Sequence, residues 1–239
     1  MTVFDLLTTA GFVVASIPHV FKGYKYLRRS RAMKVFWDGK DKNYIIIYPA
    51  HADPSSPSNE YRLIKHETVS AIRRIEEFLK AYGCNVTVKR SSDGLTDQEK
   101  KCNVVVIGSS RTNRVAKEFF PDLEKHFEFG VVDQDYFILD KHSQISLSSP
   151  IGRGISADLA LIEKIPNAYS SNLCNRVYYI AGIHAVGCWA AAEYLTDYEK
   201  LLKLPRVTPS QGLAFIIEAQ FSGFYNITGF TDYVVPRLI

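Results

Sequence analysis

Two stretches carry residue types that could do chemistry: Gly108-Ser109-Ser110-Arg111-Thr112-Asn113 and Gly182-Ile183-His184-Ala185-Val186-Gly187. The first offers backbone amides, hydroxyls and one guanidinium where a helix would begin, a set that suits a phosphate or a ribose phosphate. Its candidate ligand-binding residues are Gly108, Ser109, Ser110, Arg111 and Asn113. The same groups also make a well-capped turn that holds no ligand. The second stretch offers His184, suited to acid–base work near neutral pH, between Gly182 and Gly187, two further candidates for ligand contact. A structural His184 bonded to a backbone carbonyl is the plainer alternative. Cys188, four residues on, is a conceivable nucleophile with His184 as its base.

The carboxylates are more scattered. Glu118 lies on the helix after the first turn and, with His184, is the catalytic candidate. Asp53, beside His51 in a loop, and Glu67 on a long helix are weaker ones. A carboxylate near the cleft could stabilise an oxocarbenium-like centre or accept a ribose hydroxyl. Helix glutamates are otherwise solvated surface. Neither GxGxxG nor GxxxxGK[ST] occurs. Cys84, Cys102, Cys174 and Cys188 form no CxxC and have no histidine at metal spacing, so no metal site and no required cofactor are expected, and the thiols read as reduced.

These residues need elements to position them. Asn43 to Tyr48, Asn103 to Ile107 and Arg176 to Ala181 are β-branched and aromatic runs without alternation, the pattern of strands buried on both faces. Val86 to Lys89 is a further strand. Glu60 to Tyr82 reads as a long helix ended by Gly83, with Leu63, Ile64, Val69, Ile72, Ile75, Phe78 and Leu79 at helical spacing. Arg111 to Phe120 and Cys188 to Leu202 read as helices, and Asp93 to Lys101 as a charged connection with a short one. Short runs at Phe127 to Gly130, Tyr136 to Leu139 and Gln144 to Ser148 suggest antiparallel hairpins. Asp158 to Ile165 is another strand, and Gly212 to Gln220 with Phe224 to Val235 a final antiparallel pair. The expected fold is α/β: a Rossmann-like, parallel-centred sheet with antiparallel additions, preceded by an apolar N-terminal helix. All turns after parallel strands lie along one sheet edge, so the two glycine turns should line one cleft.

The chain of 239 residues, 46% hydrophobic and 23% charged, is long enough to bury a substantial core. Its net charge of +4 is concentrated between Lys22 and Lys34, so specific nucleic-acid binding is not expected. Leu6 to Phe21 is apolar on nearly all sides and is followed by Lys22, Lys25, Arg28, Arg29, Arg31 and Lys34. That order suits an uncleaved anchor with its C-terminal side in the cytoplasm, a helix lying in the membrane surface, or a helix packed on the domain or a partner chain. The domain reading is residues 1–33 as helix and basic linker and 34–239 as a single α/β domain. The expected location is cytoplasmic, with a tether to the inner face of a membrane as the anchored form, and the expected assembly is a homo-oligomer.

From Asn43 to Phe120 the chain resembles the first half of a Toll/interleukin-1 receptor (TIR) domain and the related nucleoside deoxyribosyltransferase-like folds. The resemblance rests on the IIIY strand with its loop, the long helix ending at Gly83, a strand, and then VVVIGSSRTNRVAKEFF. In TIR-type NAD-cleaving domains a strand ends in a Ser-containing loop and a glutamate follows in the next helix, where Glu118 stands. The resemblance implies a nucleotide-type ligand such as NAD and, in its enzymatic form, cleavage of the N-glycosidic bond. Two other classes fit the sequence: a non-catalytic nucleotide-sensing module that signals through the N-terminal helix to a membrane or partner, and a structural or assembly protein.

Overall fold

The computed structural model describes residues 27, 30–38, 41–49, 51–52, 62–118, 123–133, 135–149, 156–172, 174–222 and 226–239. The apolar stretch 6–21 lies outside them. In chain order the elements are α1 (30–36), β1 (Asn43–Tyr48), β2 (His51–Ala52), β3 (Arg62–Leu63), α2 (His66–Ala81), β4 (Asn85–Arg90), α3 (Asp97–Lys100), β5 (Asn103–Ile107) and α4 (Arg114–Glu118). Then follow β6 (Phe127–Val132), β7 (Asp135–Asp140), β8 (Ile145–Ser148), β9 (Ala157–Pro166), β10 (Arg176–Gly182), α5 (Ala185–Leu195), α6 (Tyr198–Leu201), β11 (Leu213–Ser222) and β12 (Asn226–Leu238).

The architecture is mixed α/β around a seven-stranded sheet of order β12-β11-β9-β10-β5-β1-β4. Strands β4, β1, β5 and β10 are mutually parallel, and β9, β11 and β12 extend the sheet antiparallel. The three strands expected inside, β1, β5 and β10, have sheet neighbours on both sides. Their unbroken apolar character has a simple cause: both faces are covered, so alternating residues face two apolar layers instead of core and water. Tyr44, Ile46, Val105, Ile107, Tyr178 and Ile180 join the cluster with α1, α2 and α5. Ile45, Ile47, Val104, Val106, Val177 and Tyr179 join the cluster with α4 and the three-stranded antiparallel sheet β6-β7-β8.

Several boundaries differ from the expectation. The long helix starts at His66, because Arg62 and Leu63 pair with His51 and Ala52 and Lys65 is extended. Val69 is exposed, since the buried stripe is Thr68, Ala71, Ile72, Ile75, Phe78 and Leu79. The helix after β5 begins at Arg114, not Arg111, and residues 119–120 lie outside the described set. The helix expected over Cys188–Leu202 starts earlier, at Ala185, and is cut in two. Thr196 Oγ1 donates back to the Ala192 carbonyl at 2.9 Å, and Asp197 caps α6.

The largest difference concerns the domain boundary drawn after residue 33, which falls inside α1. Ala32, Met33, Val35, Phe36 and Trp37 are all buried. Trp37 packs against Tyr178 with ring centroids 4.8 Å apart and the planes tilted by 37°, and its indole N–H donates to Leu195 O at 2.9 Å. Lys164, inside β9 and fully buried, pins the same segment by bonding Asp38 at 2.9 Å and Val35 O at 3.1 Å. Burial pushes the Lys164 ammonium down to about 8. The packed unit therefore includes α1.

Candidate functional site

The chain direction of β1, β5 and β10 brings three loops to one sheet edge. Ile107 pairs with Ile180, and Gly108 N–H donates to Ile180 O at 2.8 Å, so the two glycine turns leave adjacent strands side by side. Between them lies a cavity of about 430 Å³. Gly108, Ser109, Arg111 and Thr112 line it from the first turn, and Gly182, Ile183, His184 and Ala185 from the second. Pro49, Lys65 and Thr68 close one side, and Phe129 and Tyr136 of the small sheet supply an aromatic wall.

The first turn uses most of its polar groups on itself. Gly108 has φ +90°, a conformation that glycine adopts without penalty. Asn113 is the helix cap: its Oδ1 accepts from Val115 and Ala116 N–H, and its Nδ2 donates to Ile107 O at 2.7 Å. It is buried and does not line the cavity. The amide and hydroxyl of Ser110 both donate to the Glu124 carboxylate, at 3.4 Å each. Ser110 and Asn113 thus serve the turn's structure, and Ser109 and Arg111 line the cavity.

The second turn is fastened by a residue that the motif reading missed. Asp158, at the start of β9 and fully buried, accepts from His184 N–H at 3.1 Å and Gly187 N–H at 2.8 Å through Oδ2. Its Oδ1 lies 3.1 Å from His184 Nδ1. The pairing fixes the ring, places the proton on Nδ1 and leaves Nε2 for the cavity. The bond to Asp158 raises the imidazole above its ordinary 6.5, against opposition from partial burial and Lys65. Gly187 is required because a Cβ there would sit 2.6 Å from Asp158 Oδ2. It supports the turn and does not line the cavity.

Cys188 borders the cavity but is no nucleophile. It is buried, its sulfur accepts from Gly182 N–H at 3.1 Å, and burial pushes the thiol up to about 11. Glu118 lies elsewhere. It pairs with Lys100 at 2.8 Å and lines a separate hollow with Asp93, Arg114 and Lys117. Glu67, in the first turn of α2, does not line the cavity, the side chain of His51 is not described, and Asp53 lies outside the described residues.

Among the described residues lining the cavity, Lys65, Arg111 and His184 can carry positive charge and none is a carboxylic acid. Neither Lys65 nor Arg111 has an ion-pair partner among the described residues. Two further hollows contain ion pairs in their lining, Arg74 with Glu193 at 3.0 Å and Lys100 with Glu118 at 2.8 Å. Among the described residues no group of three His, Cys, Asp or Glu could hold a metal ion, and no helix is long and apolar enough to cross a membrane.

Lys65, Phe129, Tyr136 and Asp158 escaped the motif reading. Only Asp158 left a signal: an acid opening an apolar run, DLALIEKI, is buried with the strand it begins. No protein-family model, curated protein or solved structure matches the chain.

Proposed function

We propose that the cavity binds a phosphate-bearing small molecule of the nucleotide class. One observation carries this reading: the described lining combines Lys65 and Arg111, which have no ion-pair partner among the described residues, with His184, whose only carboxylate partner there is Asp158 behind it, against an aromatic wall of Phe129 and Tyr136. Uncompensated cations in a concave, partly apolar site favour an anion, and flat rings favour a planar group beside it. The Rossmann-like reading of the sheet and the TIR-like character of residues 43–120 point to the same ligand class, with NAD as the first candidate. In the enzymatic form of the proposal, cleavage of an N-glycosidic bond, acid–base work falls to His184, because Glu118 faces another surface.

A sensing role is the second reading, favoured by the path of α5. That helix begins at the cavity with Ala185 and ends at Leu195, whose carbonyl holds Trp37 next to α1. A ligand that shifts α5 would thus reach the segment that follows the apolar stretch 6–21, and through it a membrane on its cytoplasmic side or a partner helix.

The test incubates the purified protein with NAD, ATP, AMP and pyrophosphate, following products by chromatography and melting temperature by fluorescence. Product from NAD supports the enzyme, and a raised melting temperature without product supports the sensor. Neither effect with any of the four overturns ligand binding and leaves the assembly role.

A further inference from the structure

Resting on the anion-site reading, the geometry points to a proton-linked site: His184 contacts the anion as an imidazolium, giving its Nδ1 proton to Asp158 and its Nε2 proton to the ligand, so that binding takes up a proton. The proposal stands on how the ring is held. Asp158 has no exposed surface, and its carboxylate is locked by two backbone amides and the imidazole Nδ1, with all three contacts between 2.8 and 3.1 Å. The ring is therefore oriented before any ligand arrives. His184 lines the cavity and its side chain is 40% exposed, so with Nδ1 held by Asp158 the nitrogen left for a ligand is Nε2. A neutral imidazole in this tautomer presents an acceptor lone pair at Nε2, which an anionic oxygen repels. The protonated ring presents a donor there. Anion binding and protonation must then favour each other.

The groups facing His184 are few. Asp158 of β9 pairs with it, Lys65 before α2 opposes its protonation, and Tyr136 of β7 meets its ring edge-on at 6.3 Å. Cys188 of α5 and Arg111 of the first turn complete the described ionisable surroundings. Burial pushes the Cys188 thiol up to about 11, so it does not titrate in the range of interest. The free imidazole already lies above 6.5 through Asp158, and a bound anion raises it further.

The probe is inorganic sulfate, whose charge is constant between about pH 5 and 8, the range in which histidine titrates. Histidine carbon-13 labelling and NMR follow the His184 midpoint with and without sulfate, and the same titrations yield the sulfate Kd. Sulfate should raise the midpoint, and its Kd should weaken by about fivefold or more from pH 5.5 to 8.5, the fold-change equal to the ratio of the two protonation constants. In His184→Gln the weakening should vanish while residual binding through Lys65 and Arg111 persists. In Asp158→Asn the free midpoint should fall and the pH dependence move with it. An unmoved His184 midpoint at saturating sulfate, or the same pH dependence in His184→Gln, overturns the proposal while sparing the anion site. Absence of sulfate binding at every pH overturns both. The unmodified protein suffices for the midpoint, so a variant that fails to fold does not decide the matter.

Discussion

The two glycine turns have the same plan and opposite outcomes. Each follows an interior parallel strand, opens a helix, and is tied down by a buried carboxylate from a distant part of the chain: Glu124 for the first, Asp158 for the second. Glu124 spends its bonds on Ser110 and Tyr179, and a second buried acid, Glu163, accepts its backbone N–H at 2.9 Å. Nothing at that knot faces the cavity. Asp158 instead takes two amides with one oxygen and aims a histidine with the other. A turn at a sheet edge therefore becomes a candidate site through the neighbour that holds it and the side chain left outward, more than through its glycine or serine content.

The comparison is broken most severely at the glycines. A Cβ on Gly182 would lie 2.3 Å from His184 O and 2.5 Å from Cys188 N, both backbone atoms that cannot step aside. Gly182→Ala is expected to cost about 3 kcal/mol. On Gly108 the nearest atoms are the Pro49 ring at 3.0 Å and the Thr112 side chain, which can yield, so Gly108→Ala pays mainly for φ +90°, about 1–2 kcal/mol. Urea unfolding ranks the two, and equal costs would mean that the second turn is not the more tightly packed.

The next largest effect lies at Asp158. Asp158→Ala leaves the amides of His184 and Gly187 without the acceptor that now serves both, an expected loss of about 2–3 kcal/mol. It also removes the largest cause of the raised His184 value, so the imidazole should titrate closer to 6.5. Stability lost with an unchanged His184 titration would show that Asp158 is a cap alone.

How much of this was legible follows from the kind of interaction involved. The interior strands could be read because burial on both faces leaves a run such as NVVVI with no polar residue after the first. Their adjacency followed from parallel direction, and with it the nearness of the two turns. What could not be read is which polar side chain is consumed by the fold. Ser110 and Asn113 look like ligand contacts until Glu124 and the strand-end carbonyls take them. Glu118 stands at the expected place in sequence, but its helix turns it toward Lys100. Lys65 and Tyr136 reach the cavity from elements whose position depends on packing across the whole sheet, and no local pattern announces them. α1 was hidden for a similar reason: its basic residues suggested a linker, while Ala32, Met33, Val35 and Phe36 among them supply a buried face.

Arg111 sharpens the comparison from the ligand side. It is the long exposed side chain that the first turn does not use, so Arg111→Ala should weaken a phosphate-bearing ligand by about 1.5–3 kcal/mol if the guanidinium bonds it directly. Unfolding stability should stay within about 0.5 kcal/mol of the parent. A destabilised variant with unchanged affinity would place Arg111 with Ser110 and Asn113 among the residues that serve the turn.

The smallest expected effect separates the two carboxylate ties by pH. Glu163 is fully buried, its Oε1 has no hydrogen-bond partner, and burial, with Glu124 nearby, pushes its carboxyl up to about 8. The unfolded chain releases that proton near its ordinary value of 4.5. Between the two values the folded state holds more protons than the unfolded one, so stability must fall as pH rises and level off above the folded value. The contribution is complete below 4.5 and is lost through about 8. A full proton would give about 1.4 kcal/mol per pH unit, but reorganisation around the ionised Glu163 carboxylate shrinks this, and a loss of about 1 kcal/mol between pH 6 and 8 is expected. His184, also raised, contributes in the same direction, so the informative quantity is the difference between the parent and Glu163→Gln, which share His184. The glutamine keeps an oxygen for the Glu124 amide and cannot ionise, so its unfolding free energy should fall less steeply over this range. Parallel curves would mean that Glu163 is not the group that titrates, and that the first turn's tie is as indifferent to pH as its lack of a ligand-facing histidine would otherwise make it.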